Sequence, residues 1–307
     1  MNILSLFDGM SCGQQAIEKL GIVDYKYYAS EIKPHAIKVT QYNYPNTIQL
    51  GDVIKINSDD LPGIDLLIGG SPCQDFSRGN KERNGLDGIK SSLFFEYIRL
   101  LKETKPKYFL LENVVMDIKD NNYITKLLGV EPVRINSELV GPQLRDRYYW
   151  TNIPGQELGL FGSMQGQPKD RKINLNAILE NGYSPMKKAR CLLESDSRPL
   201  ATPVKMFHRF HGTGFTTLVF KSEGHYIDCK NHYNKHFKGG TAEDINSFSG
   251  DLSVYNGTRY LNQSELEKCQ TVKPGYTSIL KRNDAACLLG DGWTVDVISH
   301  ILKGLKC

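Results

Sequence analysis

The fold is decided by the stretch Leu66-Leu67-Ile68-Gly69-Gly70-Ser71-Pro72-Cys73-Gln74-Asp75-Phe76-Ser77. Its first half is an apolar run that ends in two glycines, which predicts a short buried strand. The Gly-Gly and Ser-Pro pairs cannot continue a strand ladder, so a loop follows. Cys73 therefore lies just beyond the carboxyl end of a predicted parallel strand. Ligands and reacting groups collect at this edge of open α/β sheets.

Cys73 is a candidate nucleophile because of this position. A thiolate becomes a strong nucleophile when its pKa falls below about 8.5. Loop amides and the basic side chains of Arg78 and Lys81 would lower that pKa. The alternative is a buried structural cysteine, and the rest of the chain has to decide between the two.

Composition and charge describe an ordinary globular protein. The 307 residues are 40% hydrophobic and 23% charged, with a formal net charge of +4. Seven cysteines without regular spacing argue against a disulfide framework and for a reducing compartment. We find no basic leader before a long apolar stretch, and no apolar run of about 18 residues. We therefore expect a cytoplasmic protein without a membrane anchor.

The chain begins with a strand, a glycine-containing turn and a helix. The strand covers residues 3–7, the turn covers 8–13, and the helix ends near Gly21. Small turn residues let a ligand approach the backbone, and free amides at a helix start would face it. The turn lacks the G-x-G-x-x-G pattern of a pyrophosphate site, and an ordinary βα turn is the alternative.

Acidic residues close several predicted strands. Glu31 ends the strand over 25–31, which is where a ribose diol would be held. Asp52 closes the strand over 48–53, and Glu112 comes late in the apolar strand over 108–114. Glu112 would share the sheet edge of Cys73 and suits proton transfer there. The alternatives are a solvated Glu31 and a Glu112 that caps the next helix.

Two further segments carry basic residues. Arg145 and Arg147 stand two apart before an aromatic strand, so alternation would place both on one face to hold a phosphate and a carbonyl oxygen. A surface pair with Asp146 is the alternative. The glycine-rich segment 77–92 is a candidate lid, or else a surface loop.

The βα alternation stops near residue 151. Residues 197–240 contain seven Lys or Arg against two acids, and five of the seven histidines, interleaved with aromatic residues. A basic and aromatic composition on an irregular β scaffold indicates nucleic-acid binding, whereas the alternative is an insertion with its own small core. The series His225, Cys229, His232 and His236 imitates zinc-ligand spacing. Without a second cysteine pair, we predict no metal.

The order of these pieces resembles the cytosine-5 DNA methyltransferase family. Phe7-Asp8-Gly9 with Gly13 is similar to its methyl-donor loop, and Ser71-Pro72-Cys73-Gln74 to its nucleophile motif. The remaining resemblances are Glu112-Asn113-Val114, Gln143-Leu144-Arg145-Asp146-Arg147, Arg259 at the end of the recognition region, and Leu289-Gly290-Asp291-Gly292-Trp293-Thr294-Val295. The last motif is spelled as in the de novo branch, and many members have Gly-Asn-Ala or Gly-Asn-Ser there.

The resemblance implies methyl transfer from S-adenosylmethionine to C5 of a flipped-out cytosine in duplex DNA, leaving S-adenosylhomocysteine. Its catalytic residues would be Cys73, Glu112, Arg147 and Arg145. Its cofactor residues would be Phe7, Asp8, Gly9, Gly13, Glu31, Ile32, Asp52, Val53, Ser71, Pro72, Leu93 and Trp293. Its DNA-binding residues would be Gln74, Ser77, Arg78, Lys81, Arg83, Arg209, Lys235 and Arg259.

The expected fold is α/β, with a doubly wound, Rossmann-like methyltransferase sheet and a smaller, irregular β-rich target-recognition domain. We expect a catalytic domain over 1–150, target recognition over 151–258 and a return to the catalytic domain over 259–307. A monomer acting on double-stranded DNA, away from membranes, is expected, with a cognate restriction endonuclease as a candidate partner. The alternatives are a tRNA cytosine-5 methyltransferase, a non-catalytic DNA-binding relative and a nicotinamide-dependent oxidoreductase.

Overall fold

The structure, a computed structural model, describes residues 1–72, 92–157, 163–193, 202–214 and 216–305. The chain folds into two units. The first comprises Met1–Ser137, Asp146–Lys169 and Gly292–Cys307, and the second comprises Glu138–Arg145 and Asp170–Asp291. Residues 259–291 therefore belong to the second unit, and the return to the first unit comes at Gly292 rather than at residue 259.

A seven-stranded sheet forms the centre of the first unit. Its strands are β1 (Asn2–Leu6), β2 (Lys26–Ser30), β3 (Ile48–Gln49), β4 (Leu66–Gly69), β5 (Tyr108–Val114), β6 (Val133–Asn136) and β7 (Asp146–Thr151). The strand order is β3-β2-β1-β4-β5-β7-β6, and only the pairings of β7 are antiparallel. The doubly wound, Rossmann-like sheet is thus confirmed, and the apolar run predicted for β4 is completely buried.

The direction of winding reverses between β1 and β4. After β1 the chain adds β2 and β3 on one side, and then returns to place β4 on the other side of β1. Leu6 pairs with Gly69, so the two strands end level with each other. A reversal of this kind opens a crevice at the carboxyl ends of the strands, where open α/β sheets bind ligands. The residues after Leu6 and after Gly69 border this crevice.

Helices cover the sheet of the first unit. They are α1 (Cys12–Lys19), α2 (Pro34–Asn43), α3 (Ser92–Thr104), α4 (Ile118–Leu128) and a terminal helix, Val295–Leu302. The terminal helix packs against α1, where Lys19 forms an ion pair with Asp296. The short strands β8 (Gln156–Glu157) and β9 (Ser163–Met164) pair with each other. Among the described residues, no helix combines the length and apolar character that a membrane crossing needs.

The second unit is mainly helical, so the prediction of a β-rich domain is wrong. Its helices are α5 (Pro203–Phe207), which continues as a π-helix (His208–Gly212), α6 (Glu223–His236), α7 (Ala242–Ser247), α8 (Gln263–Cys269) and α9 (Arg282–Asp291). Its strands β10 (Leu218–Val219) and β11 (Arg259–Tyr260) have two residues each.

The aromatic residues of this region form the core of the second unit. Phe207, Phe210, Phe220, Tyr233 and Phe237 are all buried and pack with Tyr255. Cys229 and Tyr233, four residues apart in α6, place one face of this helix on the core. The prediction that these rings bind nucleic acid is therefore wrong, because they are core residues. Phe215, another aromatic residue of the same basic and aromatic stretch, lies outside the described residues.

The four residues with zinc-ligand spacing, His225, Cys229, His232 and His236, lie in or beside this core. The Cys229 thiol donates to the carbonyl oxygen of Val254 at 3.2 Å, and burial raises the pKa of Cys229 to about 12. His225 bonds the same carbonyl oxygen, and His232 bonds the hydroxyl of Tyr255. Within the part of the chain that the structure describes, no three His, Cys, Asp or Glu side chains are grouped as metal ligands.

Candidate functional site

The loop after β1 has an unusual backbone. Phe7, Gly9 and Ser11 have φ angles of 56°, 60° and 57°, the left-handed region that favours glycine. The loop is nevertheless anchored, because the Asp8 amide donates to the Ser30 carbonyl oxygen at 3.0 Å. Among the described residues, apart from the neighbours of Gly9 in the chain, no atom lies within 4 Å of the position a Cβ would take on Gly9. Within that part of the chain, the loop therefore leaves its backbone uncovered beside the crevice.

Glu31 ties this loop to the end of β2. One carboxylate oxygen accepts the Gly9 amide at 2.8 Å, and the other accepts the amides of Ile32 and Lys33 at 2.7 and 2.8 Å. The predicted ribose-binding acid therefore stands beside the predicted donor loop. The oxygen that accepts the Gly9 amide has a second acceptor position for a ligand hydroxyl, whereas the other oxygen already accepts two amides.

Asp8 directs its carboxylate into the protein. It accepts hydrogen bonds from the Tyr27 hydroxyl at 2.8 Å and from the Ser11 hydroxyl. Although part of the residue reaches solvent, loss of hydration at the carboxyl group raises the pKa of Asp8 to about 6. Its hydrogen bonds partly oppose that rise. Asp8 therefore stabilises the conformation of the loop through hydrogen bonds on its buried side.

Gly13 and Gly70 are sites of close approach. A Cβ on Gly13 would lie 2.5 Å from Ile68 Cδ1 and 2.7 Å from the Tyr27 hydroxyl, and the Trp293 ring is 3.8 Å away. A Cβ on Gly70 would lie 2.8 Å from both Glu112 Oε2 and Trp293 Nε1. The absence of a side chain at Gly70 lets Trp293 reach Glu112 on β5, and the absence of one at Gly13 makes room for Ile68 and Tyr27.

Glu112 is held at both carboxylate oxygens. Arg147 Nε lies 2.9 Å from Oε1, and Trp293 Nε1 donates to Oε2 at 3.1 Å. Glu112 pairs with Tyr149 across the antiparallel β5 and β7, so Arg147, two residues before Tyr149, shares its face of the sheet. Glu112 is buried, and the side chain of Arg147 is 14% exposed.

Asn113 is a site residue that the sequence reasoning missed as an individual contributor. Its amide nitrogen donates to the Ser71 hydroxyl at 3.1 Å, and both residues are buried. Ser71 immediately precedes Pro72 and the predicted nucleophile Cys73, so Asn113 anchors the residue with which that predicted motif begins to β5. The signal was present, because Asn113 lies in a quoted motif, but only the packing of β4 beside β5 assigns it a partner.

The other predicted cofactor residues lie at strand ends or in the core of the first unit. Ile32 is 68% exposed, just after β2. Asp52 accepts the amide of Ile54 at 3.1 Å, and the neighbouring Val53 is buried. Leu93, like Phe7, packs against the cluster that contains Val53. Pro72 is half-buried.

Arg145 does not accompany Arg147 in the strand. Strand β7 begins at Asp146, so alternation does not extend to Arg145. Arg145 belongs to the second unit, where it is buried and donates to the carbonyl oxygens of Gly290 and Leu192 at 3.1 and 3.4 Å. The expected pairing of the two arginines on one strand face is therefore wrong, and the surroundings of Arg145 favour a structural role.

The predicted DNA-binding residues differ in their exposure and in their contacts. Lys235 is exposed on α6, and Arg209 is half-buried in the π-helix. Arg259 forms an ion pair with the buried Glu265 at 2.7 Å and also donates to the Asn181 carbonyl oxygen at 2.8 Å. These contacts favour an internal role for Arg259. The predicted residues outside the described part of the chain are Cys73, Gln74, Ser77, Arg78, Lys81 and Arg83.

Comparisons with known proteins identify relatives along the chain. A family model described as C-5 cytosine-specific DNA methylase matches residues 1–307. The type II methyltransferase M.NgoBV of Neisseria gonorrhoeae is 42% identical over 204 residues, which cover 59% of this chain and 47% of that protein. The type II methyltransferase M.NlaIV of Neisseria lactamica is 42% identical over 118 residues, which cover 37% of this chain and 28% of that protein. The matched segments thus span less than half of these curated relatives.

Solved structures support the fold. A DNMT2 variant from Spodoptera frugiperda has a TM-score of 0.66 at 20% identity, covering 99% of this chain and 98% of that one. The Entamoeba histolytica methyltransferase EhMeth has a TM-score of 0.69 at 15% identity, covering 99% and 97%. At these identities the likeness shows the fold alone, whereas the family model covers every motif named above. The chain belongs to the C-5 cytosine-specific DNA methylase family.

Proposed function

We propose that this chain is a DNA (cytosine-5-)-methyltransferase that transfers a methyl group from S-adenosylmethionine to C5 of a flipped-out cytosine in duplex DNA. The observation that carries the proposal is the Glu112–Arg147 pair, joined at 2.9 Å beside a topological switch point. A carboxylate and a guanidinium on one sheet face match the amidine edge and the O2 oxygen of a cytosine ring.

The crevice residues fit S-adenosylmethionine as the cofactor. Within the described part of the chain, the loop at Gly9 leaves its backbone uncovered, and Gly13 and Gly70 leave no room for side chains of their own. Glu31 presents a carboxylate at the end of β2, where a ribose hydroxyl would bind. When bound, S-adenosylmethionine supplies an electrophilic methyl group. The residues proposed to hold it are Phe7, Asp8, Gly9, Gly13, Glu31, Ile32, Asp52, Val53, Ser71, Pro72, Leu93 and Trp293.

The protein residues have to make C5 of cytosine nucleophilic. The Cys73 thiolate adds to C6, which converts the ring into an enamine whose electron pair lies at C5. Glu112 bonds N3 and stabilises its protonated form, and Arg147 bonds O2. After C5 has been alkylated, water removes the C5 proton and Cys73 is eliminated. The target base has to leave the duplex for this chemistry, at a cost of a few kcal/mol.

Duplex DNA is the substrate that the relatives favour. M.NgoBV and M.NlaIV are both named type II methyltransferases, and the family model is that of DNA methylases. We propose that Lys235 and Arg209, with Gln74, Ser77, Arg78, Lys81 and Arg83, contact this DNA. The same catalytic set would serve a cytosine in tRNA, so the substrate has to be tested on both polymers.

Expression of the chain in a host without cytosine methylation tests the proposal. Bisulfite sequencing of the host DNA should reveal C5-methylated cytosines in one sequence context, and the same treatment of the host tRNA should reveal none. Cys73→Ser should abolish methylation and retain DNA binding. Methylation by the serine variant would contradict the assignment of the nucleophile, and methylation confined to tRNA would contradict the assignment of the substrate.

A further inference from the structure

We propose that Trp293 positions the carboxylate of Glu112 for reaction, in addition to lining the donor pocket. This inference rests on the proposed function and names one more residue on which the addition step depends. Its basis is the hydrogen bond from the indole Nε1 of Trp293 to Glu112 Oε2 at 3.1 Å. The two residues are 181 positions apart in the chain, so the contact is a product of the fold.

The two donors on Glu112 fix its carboxylate. Arg147 Nε lies 2.9 Å from Oε1, and the indole occupies one side of Oε2. A carboxylate with a donor on each oxygen has its plane and rotamer determined. Each oxygen still has a second acceptor position, which can receive the N–H groups of a protonated cytosine edge. Without the indole, the carboxylate would be free to rotate about its bond to Arg147.

The space between the two residues is kept clear by Gly70. A Cβ there would lie 2.8 Å from Trp293 Nε1 and 2.8 Å from Glu112 Oε2, closer than real Cβ contacts allow. Any side chain at this position would therefore separate the indole from the carboxylate. This requirement accounts for the second glycine of the Gly69-Gly70 pair.

The other end of the indole lies near the first turn of α1. Its Cζ3 lies 3.8 Å from the position of a Cβ on Gly13, in the first turn of α1. Trp293 stands one residue before the N-cap of the terminal helix, and Lys19 of α1 is paired with Asp296 of that helix. A single rigid ring therefore spans from the donor loop to the catalytic carboxylate.

The addition step can be measured without the methyl donor. The Cys73 thiolate forms the C6–S bond, the C5=C6 electron pair moves to C5, and C5 takes a deuteron from D2O. C5 then loses its original proton, and the thiolate leaves C6 with the bonding pair. No oxidant or reductant enters, and the product is cytosine with deuterium at C5. Mass spectrometry of the nucleosides gives the rate.

Trp293→Phe keeps an aromatic ring and removes the N–H donor. We expect the exchange rate to fall between about 10- and 100-fold, as for other losses of a group that orients a reacting residue. Trp150→Phe is the matched control, because the only other tryptophan of the sequence donates its indole N–H to Thr125 Oγ1 at 3.0 Å instead. Its exchange rate should equal that of the unmodified chain. If Trp293→Phe does not fold, Gly70→Ala takes its place in the experiment. It should slow the exchange by the same factor, because its Cβ would separate the indole from the carboxylate.

The outcomes separate the inference from the proposed function. Affinity for S-adenosylhomocysteine, measured by calorimetry, reports the donor pocket independently. Trp293→Phe with weakened binding but unchanged exchange would show a donor-pocket residue only and overturn the inference. Equal slowing by Trp150→Phe would show a general packing effect and overturn it as well. An unmodified chain that neither exchanges nor methylates cytosine in DNA or tRNA would overturn the proposed function itself.

Discussion

At the scale of single residues, Glu112 shows how a side chain late in an apolar strand becomes a defined acceptor. Arg147 across the sheet and Trp293, just before the last helix, supply one donor for each oxygen. The hydrogen bonds are charge-assisted, and they compensate for the burial of a carboxylate on a mostly apolar strand. The carboxylate is thus oriented by the protein's own donors.

Glu112→Gln should slow methyl transfer by a factor of about 10² to 10⁴, the usual contribution of a positioned acid or base. Glutamine keeps the shape of the side chain and loses its charge and its proton-accepting oxygen. Single-turnover rates measure the chemistry, and calorimetry with S-adenosylhomocysteine measures the donor site, which should bind as before. Equal losses in both measurements would instead assign Glu112 a structural role.

Asp8 makes the stability of the protein depend on pH. Its pKa of about 6 in the folded chain compares with 3.8 for an ordinary aspartate. The native state therefore keeps the Asp8 proton at pH values where the unfolded chain has released it. Because the native state binds more protons in that interval, its unfolding free energy falls as the pH rises from about 4 to about 6.

Asp8→Asn should remove this component, which amounts to about 3 kcal/mol. Urea denaturation of both proteins at a series of pH values between 4 and 7 gives the difference in slope. Asp24→Asn, at an exposed position, is the control and should leave the slope as in the unmodified chain. An unchanged slope in the Asp8 variant would show that the Asp8 carboxyl is not buried against Tyr27 in solution.

At the scale of elements, one ion pair joins β11 to α8. Arg259 on β11 reaches both oxygens of Glu265 on α8, and the side chain of Glu265 is fully buried. Burial by itself would raise the pKa of Glu265, but hydrogen bonds from Arg259 and from the amides of Asn262 and Glu180 bring its pKa below the ordinary value. The pair therefore stabilises the fold at neutral pH and loses its effect in acid, as the carboxylate takes up a proton.

Arg259→Ala should destabilise the protein by about 3 kcal/mol, because it leaves a buried carboxylate without its counter-charge. The matched control is Arg134→Ala, which breaks the more exposed pair with Asp146 and should cost less than about 1 kcal/mol. Both values come from urea denaturation at pH 7. Equal costs for the two variants would contradict the structural role given to Arg259.

Helix α6 shows why the sequence of a helix can be interpreted as an irregular segment. Tyrosine, histidine and asparagine are weak helix formers, and the helix contains few strongly apolar residues to mark its face. It is nevertheless started by Ser222, whose hydroxyl accepts the His225 amide, and it is held by Cys229 and Tyr233 on the aromatic core. Tertiary packing outweighed local propensity here.

At the scale of the whole molecule, the lysines of α6 remain on the surface of the second unit, while buried aromatic side chains fill its core. Lys230 and Lys235 are both exposed on α6. If this helix lies against DNA, removing one lysine that neutralises a phosphate should reduce the slope of log affinity against log salt by about 0.9. The salt dependence therefore reports whether the second unit carries the DNA.

The double variant Lys230→Gln, Lys235→Gln should weaken DNA binding and reduce the salt slope by about 2. Lys119→Gln with Lys126→Gln, two exposed lysines of α4 in the first unit, is the matched control. Fluorescence anisotropy with a labelled duplex, measured between about 50 and about 200 mM salt, gives both slopes. A slope altered only in the control would place the DNA on the first unit.

The sequence by itself determined the strands, their turns and the chemical groups at their ends. Periodicity predicts β5 at the bounds the structure gives it, and an apolar run with a Gly pair predicts β4 within a residue. Local patterns of this kind depend on neighbours along the chain, and they also carry the family motifs.

The partners of the site residues were decided only by the tertiary structure. Trp293 meets Glu112, Asn113 meets Ser71, and Arg145 is taken into the second unit, because the elements that carry them pack in a particular order. Distant contacts leave no periodic signature in the sequence. The same reason explains α6, whose aromatic residues could be distinguished as core only when the surfaces that cover them were in place.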